Sequence, residues 1–277
     1  MEGILIGLVL AAGLLLVYGF ASQYFLKTEY YTVVSEKLRE DRTIVLLADL
    51  HGCHHGRENE KLLAEIKKEA PDIICIAGDM TVKNGKHTGE MISLLAKLKE
   101  ISPIFYAPGN HEIRMPEYEA YRDKLRQRGI CYLENESVLF GEDIQITGLD
   151  LPEYWYHKCW QRRRMTREIL EEQTEPPAGE YFSLLLAHNP EYFPQYAKWG
   201  ADLVLSGHLH GGIARLPLFG GVISPSLRLF PRYDAGEFEM EGSRMIISRG
   251  LGLHHIKLRF FNSPEISVIK LKSENVL

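Results

Sequence analysis

Three short apolar runs, each followed by a segment with helical spacing of apolar residues, restrict the fold of this chain more than any other feature. The runs cover residues 43–48, 72–77 and 104–107, and the helical segments cover residues 59–70, 90–99 and 116–128. Strands that alternate with helices predict a sheet covered by helices rather than an all-β protein. We therefore predict an α/β domain.

The second half of the chain is richer in predicted strands. Residues 137–148 predict a hairpin that turns at Gly141, and buried strands resume at residues 181–187 and 203–205. Between them we predict a charged helix at residues 159–173 and a short helix at residues 191–198, and residues 245–271 are strand-rich. One domain over residues 43–272, preceded by a polar linker of residues 27–42, is the simplest organisation.

The N-terminal segment is apolar and contains no charged side chain from residue 3 to residue 26. About 20 such residues in a helix span a bilayer core of about 30 Å. A cleaved signal peptide, with Ala21 near the cleavage site, is the alternative. No Lys or Arg precedes the run, and the run is longer than a typical signal core, so we expect an uncleaved single-pass anchor over residues 3–26.

Charges beside this segment predict its orientation. Glu2 is the only charged residue before it, whereas Lys27, Lys37, Arg39 and Arg42 follow it. The positive-inside rule then places the main domain in the cytoplasm, at the cell membrane. The net charge of −5 argues against a nonspecific nucleic-acid partner, which would usually be basic.

Polar motifs follow the predicted strands, where ligands bind in α/β sheets. They contain two Asp, one Asn and five His, which suit Mn, Fe or Zn and are too many for one tetrahedral zinc. On an extended chain, residues i and i+2 point to the same side, so we expect Asp49 and His51 to point to one position, and likewise His208 and His210. The motifs are Asp49-x-His51, Gly78-Asp79, Gly109-Asn110-His111-Glu112, Ala187-His188 and Gly207-His208-x-His210.

This ordered set resembles the signature of the calcineurin-like metallophosphoesterases. The resemblance implies a four-layer αββα sandwich and two divalent metal ions, Mn or Fe/Zn, that share a hydroxide able to attack phosphorus. It assigns Asp49, His51 and His210 to the first metal, Asn110, His188 and His208 to the second, and Asp79 as the bridge between them. His111 would act as the catalytic acid or would stabilise the transition state, with Glu112 orienting it.

The C-terminal part is similar to membrane-associated bacterial members of this family, through residues 248–252, Arg259, Asn262 and residues 264–265. That branch includes enzymes that cleave the pyrophosphate of UDP-2,3-diacylglucosamine. Ala48 departs from the Ser common before the first motif, and residues 80–82 lack a later Asp. Neither position is an expected ligand, so these departures concern the substrate more than the metals.

Several other residues have both a structural and a functional interpretation. Arg57 and Arg249 are candidates for substrate phosphate contact. The basic cluster of Arg162, Arg163, Arg164 and Arg167 follows an aromatic segment at residues 155–160 and predicts either a solvated helix face or a lipid-facing surface. His54 and His55 match no ligand position and are interpreted as loop residues. His254 and His255, between Gly252 and the final strands, are either structural or line the cleft, and we favour the structural role.

The sequence thus predicts a membrane-anchored dimetal phosphoesterase that cleaves a phosphodiester or pyrophosphate bond. A lipid-linked substrate such as UDP-2,3-diacylglucosamine is the first expectation, and a soluble phosphodiester or nucleotide is the second. A nuclease of the same superfamily would share the metal site, but the negative charge and the membrane segment argue against it. A noncatalytic membrane protein would require a broken site, whereas every expected ligand is present.

Overall fold

The computed structural model describes residues 2–156, 164–212, 215–216, 219–224, 227–253 and 258–274. The helices are α1 (Glu2–Ala21), α2 (Glu60–Glu69), α3 (Thr88–Lys99), α4 (Tyr118–Gln127), α5 (Arg167–Glu171) and α6 (Phe193–Trp199). The strands are β1 (Lys27–Ser35), β2 (Arg42–Leu47), β3 (Ile73–Ala77), β4 (Ile104–Ala107), β5 (Cys131–Tyr132), β6 (Glu136–Phe140), β7 (Ile144–Leu149), β8 (Phe182–Ala187), β9 (Leu203–Ser206), β10 (Arg215–Leu216), β11 (Gly220–Gly221), β12 (Gly236–Met240), β13 (Ser243–Ile247) and β14 (Glu265–Ser273).

Two six-stranded sheets form the centre of the domain. Their strand orders are β1-β14-β2-β3-β4-β5 and β12-β13-β9-β8-β7-β6, and β10 and β11 form a separate small hairpin. Strands β2, β3 and β4 are mutually parallel, as are β7, β8 and β9. Both sheets are therefore mixed, and the α/β domain that the strand-helix alternation predicted is confirmed.

The two faces of each sheet explain the four layers. In β2, Ile44 and Leu46 face the second sheet, whereas Val45 and Leu47 face helices α2 to α4. Because alternate residues of a strand point to opposite faces, a run buried on both sides must be apolar throughout. The second sheet is covered on its outer face by α6, which contributes Trp199. The αββα sandwich is confirmed.

The expected linker of residues 27–42 is largely wrong, because its first part is strand β1. This strand pairs in parallel with β14 from Lys27, opposite Glu265, to Ser35, opposite Ser273. Only Val33 in it is buried. An edge strand exposes most of its side chains, so a sequence of mixed charge can occupy one, and this polarity made the segment look like a linker.

Helix α1 is long and apolar enough to cross a membrane, and its side chains are almost wholly exposed. Part of the charged helix expected at residues 159–173 lies outside the described residues. Within them, α5 begins after Thr166, whose hydroxyl accepts a hydrogen bond from the N–H of Ile169 and so caps the helix.

Candidate metal centre

The predicted ligands all follow carboxyl ends of strands and meet where the two sheets face each other. Strands β2, β3 and β4 lead to Asp49 and His51, to Asp79, and to Asn110 and His111, while β8 and β9 lead to His188 and to His208 and His210. All of these side chains are buried. Potential ligand atoms lie within 4.8 Å of one another in Asp49, His51 and His210 and in Asp79, His188 and His208, and a further buried group, His51, Asp79 and His111, overlaps both.

Asp79 lies between the two groups. Its Oδ2 is 3.2 Å from Nε2 of His188 and 3.9 Å from Nε2 of His51. In the first group, Oδ1 of Asp49 is 3.5 Å from Nε2 of His210. One carboxylate thus contacts both clusters, which is the arrangement required to bridge two neighbouring cations.

The expectation that each motif is extended, with its two donor residues on the same side of the chain, is wrong. Asp49 and His51 have φ values of 54° and 49°, and His208 and His210 have 71° and 50°, so neither motif is extended. Asp49 and His51 converge through left-handed turns instead, whereas His208 and His210 belong to different donor groups. Such conformations cost non-glycine residues on the order of 1–3 kcal/mol and are retained mainly where function requires them.

Close backbone packing explains the glycine before His208. A Cβ on Gly207 would lie 2.5 Å from Oδ2 of Asp49, the oxygen that accepts a hydrogen bond of 2.8 Å from the N–H of His208. The other oxygen of Asp49, Oδ1, is buried without a hydrogen-bond partner among the described residues, as is Oδ1 of Asn110. Buried oxygens without donors are costly unless a cation completes their coordination.

The charges in the cluster also fit cation binding. Burial raises the pKa of Asp49 to about 7. Burial opposes ionisation of Asp79 as well, but His188 holds the pKa of that carboxyl well below its usual value. Burial, with His188 nearby, lowers the pKa of His208 to about 3 and keeps its imidazole in the neutral form that binds metal. Carboxylates and imidazoles packed together in this way are suited to bind a cation.

Glu112 has a role that the sequence did not reveal. Its Oε2 accepts hydrogen bonds from the N–H groups of Asp79 (2.7 Å) and Gly109 (3.0 Å). Its Oε1 accepts from the N–H groups of Met80 and Thr81 and from the hydroxyl of Tyr106. Burial raises the pKa of Glu112 to about 7, while these donors favour its charged form. Glu112 therefore ties the loop after β3 to the loop after β4.

His111 lies beside the Asp79 carboxylate and lines a cleft. Its backbone N–H donates to Oδ1 of Asp79, and its Nδ1 accepts from the N–H of Lys83 at 3.3 Å. Burial lowers the pKa of His111, so the ring is neutral at neutral pH. A neutral imidazole whose Nδ1 accepts carries its proton on Nε2.

A cleft of about 670 Å³ opens beside these residues. Its lining includes the buried His51 and His111, and its more exposed lining residues include Lys83, His87 and, just beyond α1, Gln23 and Tyr24. The exposed Lys83 was missed because an isolated lysine in a loop carries no sequence signal. A cleft of this size fits a phosphorylated ligand larger than inorganic phosphate.

Arg259 is a second buried residue of importance here. Its guanidinium donates to the carbonyls of Arg249 and Asn262 and, at 3.0 Å and 2.8 Å, to those of Gly250 and Gly252. The carbonyl of Gly252 also lies 3.2 Å from Nδ1 of His210. An arginine within the apolar segment 258–261 is a sequence signal for such burial.

The two arginines expected to contact substrate are differently placed. Arg57 is exposed in the loop before α2, and it is not among the described side chains that line the cleft. Arg249 forms ion pairs with the buried Glu265 at 3.2 Å and with Glu29 at 3.5 Å. Both assignments remain predictions.

The other interpreted residues are mostly structural where they are described. Nε2 of His55 bonds the carbonyl of Leu251 at 2.8 Å, which agrees with a loop role. Trp155 and Tyr156 are buried against the second sheet and do not face a lipid surface. Arg167 pairs with Glu171 within α5. Arg162, Arg163, His254 and His255 lie outside the described residues.

The comparison with known proteins agrees with this geometry. The calcineurin-like phosphoesterase model matches residues 42–212, more than half of the chain. An uncharacterized metallophosphoesterase of Aquifex aeolicus is 29% identical over 95% of this chain and 98% of its own length. The phosphodiesterase YaeI of Escherichia coli is 26% identical over 91% and 93%. The solved structure of TT1561 of Thermus thermophilus covers 76% of this chain and 90% of its own, with a TM-score of 0.47 and 14% identity. The chain belongs to the calcineurin-like phosphoesterase family and is a metal-dependent phosphoester hydrolase.

Proposed function

We propose that this protein is a membrane-anchored dimetal phosphoesterase that hydrolyses a phosphodiester or pyrophosphate bond in a lipid-linked substrate. The observation that carries the proposal is the pair of buried donor groups that adjoin at Asp79. Asp49, His51 and His210 would hold one cation, Asn110, His188 and His208 the other, and Asp79 both. The orphaned oxygens of Asp49 and Asn110 support this assignment.

Two divalent cations at this position supply Lewis acidity toward phosphoryl oxygens and lower the pKa of water. Imidazole and carboxylate donors favour Mn, or Fe with Zn. The protein's own contribution is geometric and electrostatic. Glu112 fixes the loop of Asp79, and the neutral His111 would donate a hydrogen bond from Nε2 to the departing oxygen and so stabilise its charge.

Helix α1 supports the membrane assignment. Its 20 residues extend about 30 Å at 1.5 Å per residue, which matches a bilayer core. Leu14 in it is 72% exposed, although an aliphatic side chain in water would favour burial. The basic residues that follow α1 favour a cytoplasmic catalytic domain.

The position of the cleft supports a lipid-linked substrate over a soluble one. Its lining includes Gln23 and Tyr24, which directly follow the apolar helix. A phosphorylated headgroup at the bilayer surface would therefore reach the donor groups without leaving the membrane. An amphiphile such as UDP-2,3-diacylglucosamine fits this geometry, and a soluble nucleotide would not require it.

The test uses the full chain in detergent, stripped of metal and resupplied with Mn. Hydrolysis of UDP-2,3-diacylglucosamine would be compared with that of a soluble diester and a monoester, beside Asp79→Ala. Mn-dependent cleavage of the lipid, abolished in Asp79→Ala, is the expected result. Cleavage of only the soluble compounds would overturn the substrate assignment, and turnover that survives in Asp79→Ala would overturn the dimetal site.

A further inference from the structure

A contiguous group of exposed apolar side chains, here called the apolar ridge, lies beyond the metal centre. Its most exposed members are Phe219, Leu229, Phe230 and Phe261, at 75%, 65%, 57% and 54% exposure. Phe219 and Phe261 line one surface pocket. Leu229 forms a β-bridge with Ile223, and the N–H of Phe230 donates to Val222 directly after β11. Exposed aromatic and aliphatic clusters mark contact surfaces.

The ridge is continuous with helix α1. The rings of Phe261 and Tyr18 lie 5.4 Å apart. The N–H of Arg259 donates to the carbonyl of Gly19 at 2.8 Å, and a Cβ on Gly19 would come within 2.5 Å of the Phe260 ring. The helix therefore packs on the segment that carries the ridge, rather than trailing from the domain.

We propose that the apolar ridge inserts into the surface of the lipid bilayer that α1 spans, so that the cleft opens directly onto the membrane. Tyr18 lies within the apolar span, and Phe261 contacts its ring. Lipid that surrounds α1 therefore reaches the ridge, and a protein partner would have to displace it. Aromatic side chains favour this interfacial depth.

Charges around the ridge agree with this orientation. Arg215 and Arg232 line the same pocket as Phe219 and Phe261, as does Asp234, which pairs with Arg215 at 2.9 Å. Arginine beside exposed aromatic rings suits the phosphate layer of a membrane, where the ring enters the acyl boundary and the guanidinium stays with headgroups. The ridge and the cleft thus flank the end of the same helix, at Gly19 and at Tyr24.

The substrate class that follows from membrane insertion of the ridge rests on the proposed function. A phosphorylated headgroup would enter the cleft while its acyl chains stay in the bilayer beside the ridge. The substrate is then an amphiphile with a phosphodiester or pyrophosphate headgroup, presented from the leaflet that contacts Phe219 and Phe230. A soluble diester would reach the metal centre without using the ridge.

The first test measures membrane depth and needs no activity. Phe219→Trp in the full chain would be reconstituted into phosphatidylcholine vesicles, with and without bromine on the acyl chains. The matched control is Leu139→Trp, because Leu139 is 55% exposed on β6, opposite Gln145 near the start of β7 and away from the metal centre. Quenching by bromolipid at position 219, relative to the unsubstituted protein, with none at 139, is expected. Equal quenching at both positions would overturn the inference.

The second test separates the surface from the active site. The double variant Phe219→Ser, Phe230→Ser should hydrolyse a diacyl phosphodiester in vesicles about tenfold more slowly, because two aromatic anchors are lost. Hydrolysis of soluble bis-p-nitrophenyl phosphate should be unchanged, as should both rates in Leu139→Ser. Equal loss on both substrates, or no loss on either, would overturn the inference. Failure of the unsubstituted protein on both would refute the proposed function, while the quenching result still decides the ridge.

Discussion

Replacing Glu112 with Gln tests whether a buried carboxylate, which binds no substrate, holds the metal ligands in place. The amide nitrogen would replace the oxygen with fewer donors, Oε2, and would then face the N–H groups of Asp79 and Gly109. Two charge-assisted hydrogen bonds would be lost, each contributing about 1.5–3 kcal/mol. The loss of about 3–6 kcal/mol would in part lower the free energy of unfolding and in part be relieved by displacement of the Asp79 loop.

Displacement of the Asp79 loop should appear as weaker metal binding. Residues that orient metal ligands typically change affinity or activity by about 10–100-fold when they are replaced. We therefore expect Glu112→Gln to bind Mn about 10–100-fold more weakly and to recover part of its diesterase rate at high Mn. The assay is a Mn titration of the metal-free full chain, followed by calorimetry and by diester hydrolysis, with thermal unfolding measured in parallel.

Asp143→Asn is the matched control. Asp143 is also a buried acid; its Oδ2 accepts from the N–H of Arg39, and its carboxylate pairs with Arg42 at 2.9 Å. It precedes β7 at the end of the sheet remote from the metal centre. This variant should lose stability without losing Mn affinity. If Glu112→Gln also lost only stability, the claim that Glu112 positions the metal site would be refuted.

Three further predictions follow from individual side chains. His111→Ala should lower kcat for diester hydrolysis by about 10²–10³-fold with Mn content unchanged, since a hydrogen-bond donor to the departing oxygen is lost; a normal kcat would exclude this role for His111. Arg259→Lys should destabilise the protein by at least about 2 kcal/mol in denaturant unfolding, because several carbonyls lose their donors, whereas Arg57→Lys should not. Burial raises the pKa of Asp150 to about 6, so the folded state binds a proton more tightly than the unfolded state, and stability falls as pH rises from about 4 to about 6. Asp150→Asn should accordingly be more stable than the parent at pH 8, by up to about 2–3 kcal/mol, and equal to it near pH 4 in thermal unfolding; a difference that does not depend on pH would contradict this assignment.

Buried strands of this fold can be predicted because a short run of apolar residues fits few other structures. Strands β2 and β3 are covered on both faces, so nearly every residue is apolar and their bounds differ from the prediction by one residue. Strand β1 cannot be recognised in the same way. It lies at a sheet edge, and its pairing with β14 joins residues more than 230 positions apart along the chain.

The donor residues of the metal centre can also be predicted, but the hydrogen bonds and backbone conformations that hold them in place cannot. Asp79 and His188 are polar residues after apolar strands, and that contrast is visible in the sequence. The backbone donors that surround Glu112 come from two separate loops and become visible only when β3 and β4 are adjacent. The left-handed φ of His208 is likewise a product of tertiary packing against Asp49.

The most direct test of the account is the number of metal ions that each chain needs for turnover. Metal-free full-length protein would be titrated with Mn while bound metal, electron paramagnetic resonance and diester hydrolysis are followed together. The account predicts two ions per chain, a spin-coupled pair, and turnover that rises with the second ion, with coupling and turnover both lost in Asp79→Ala. Full turnover at one ion per chain, or turnover that persists in Asp79→Ala, would contradict it.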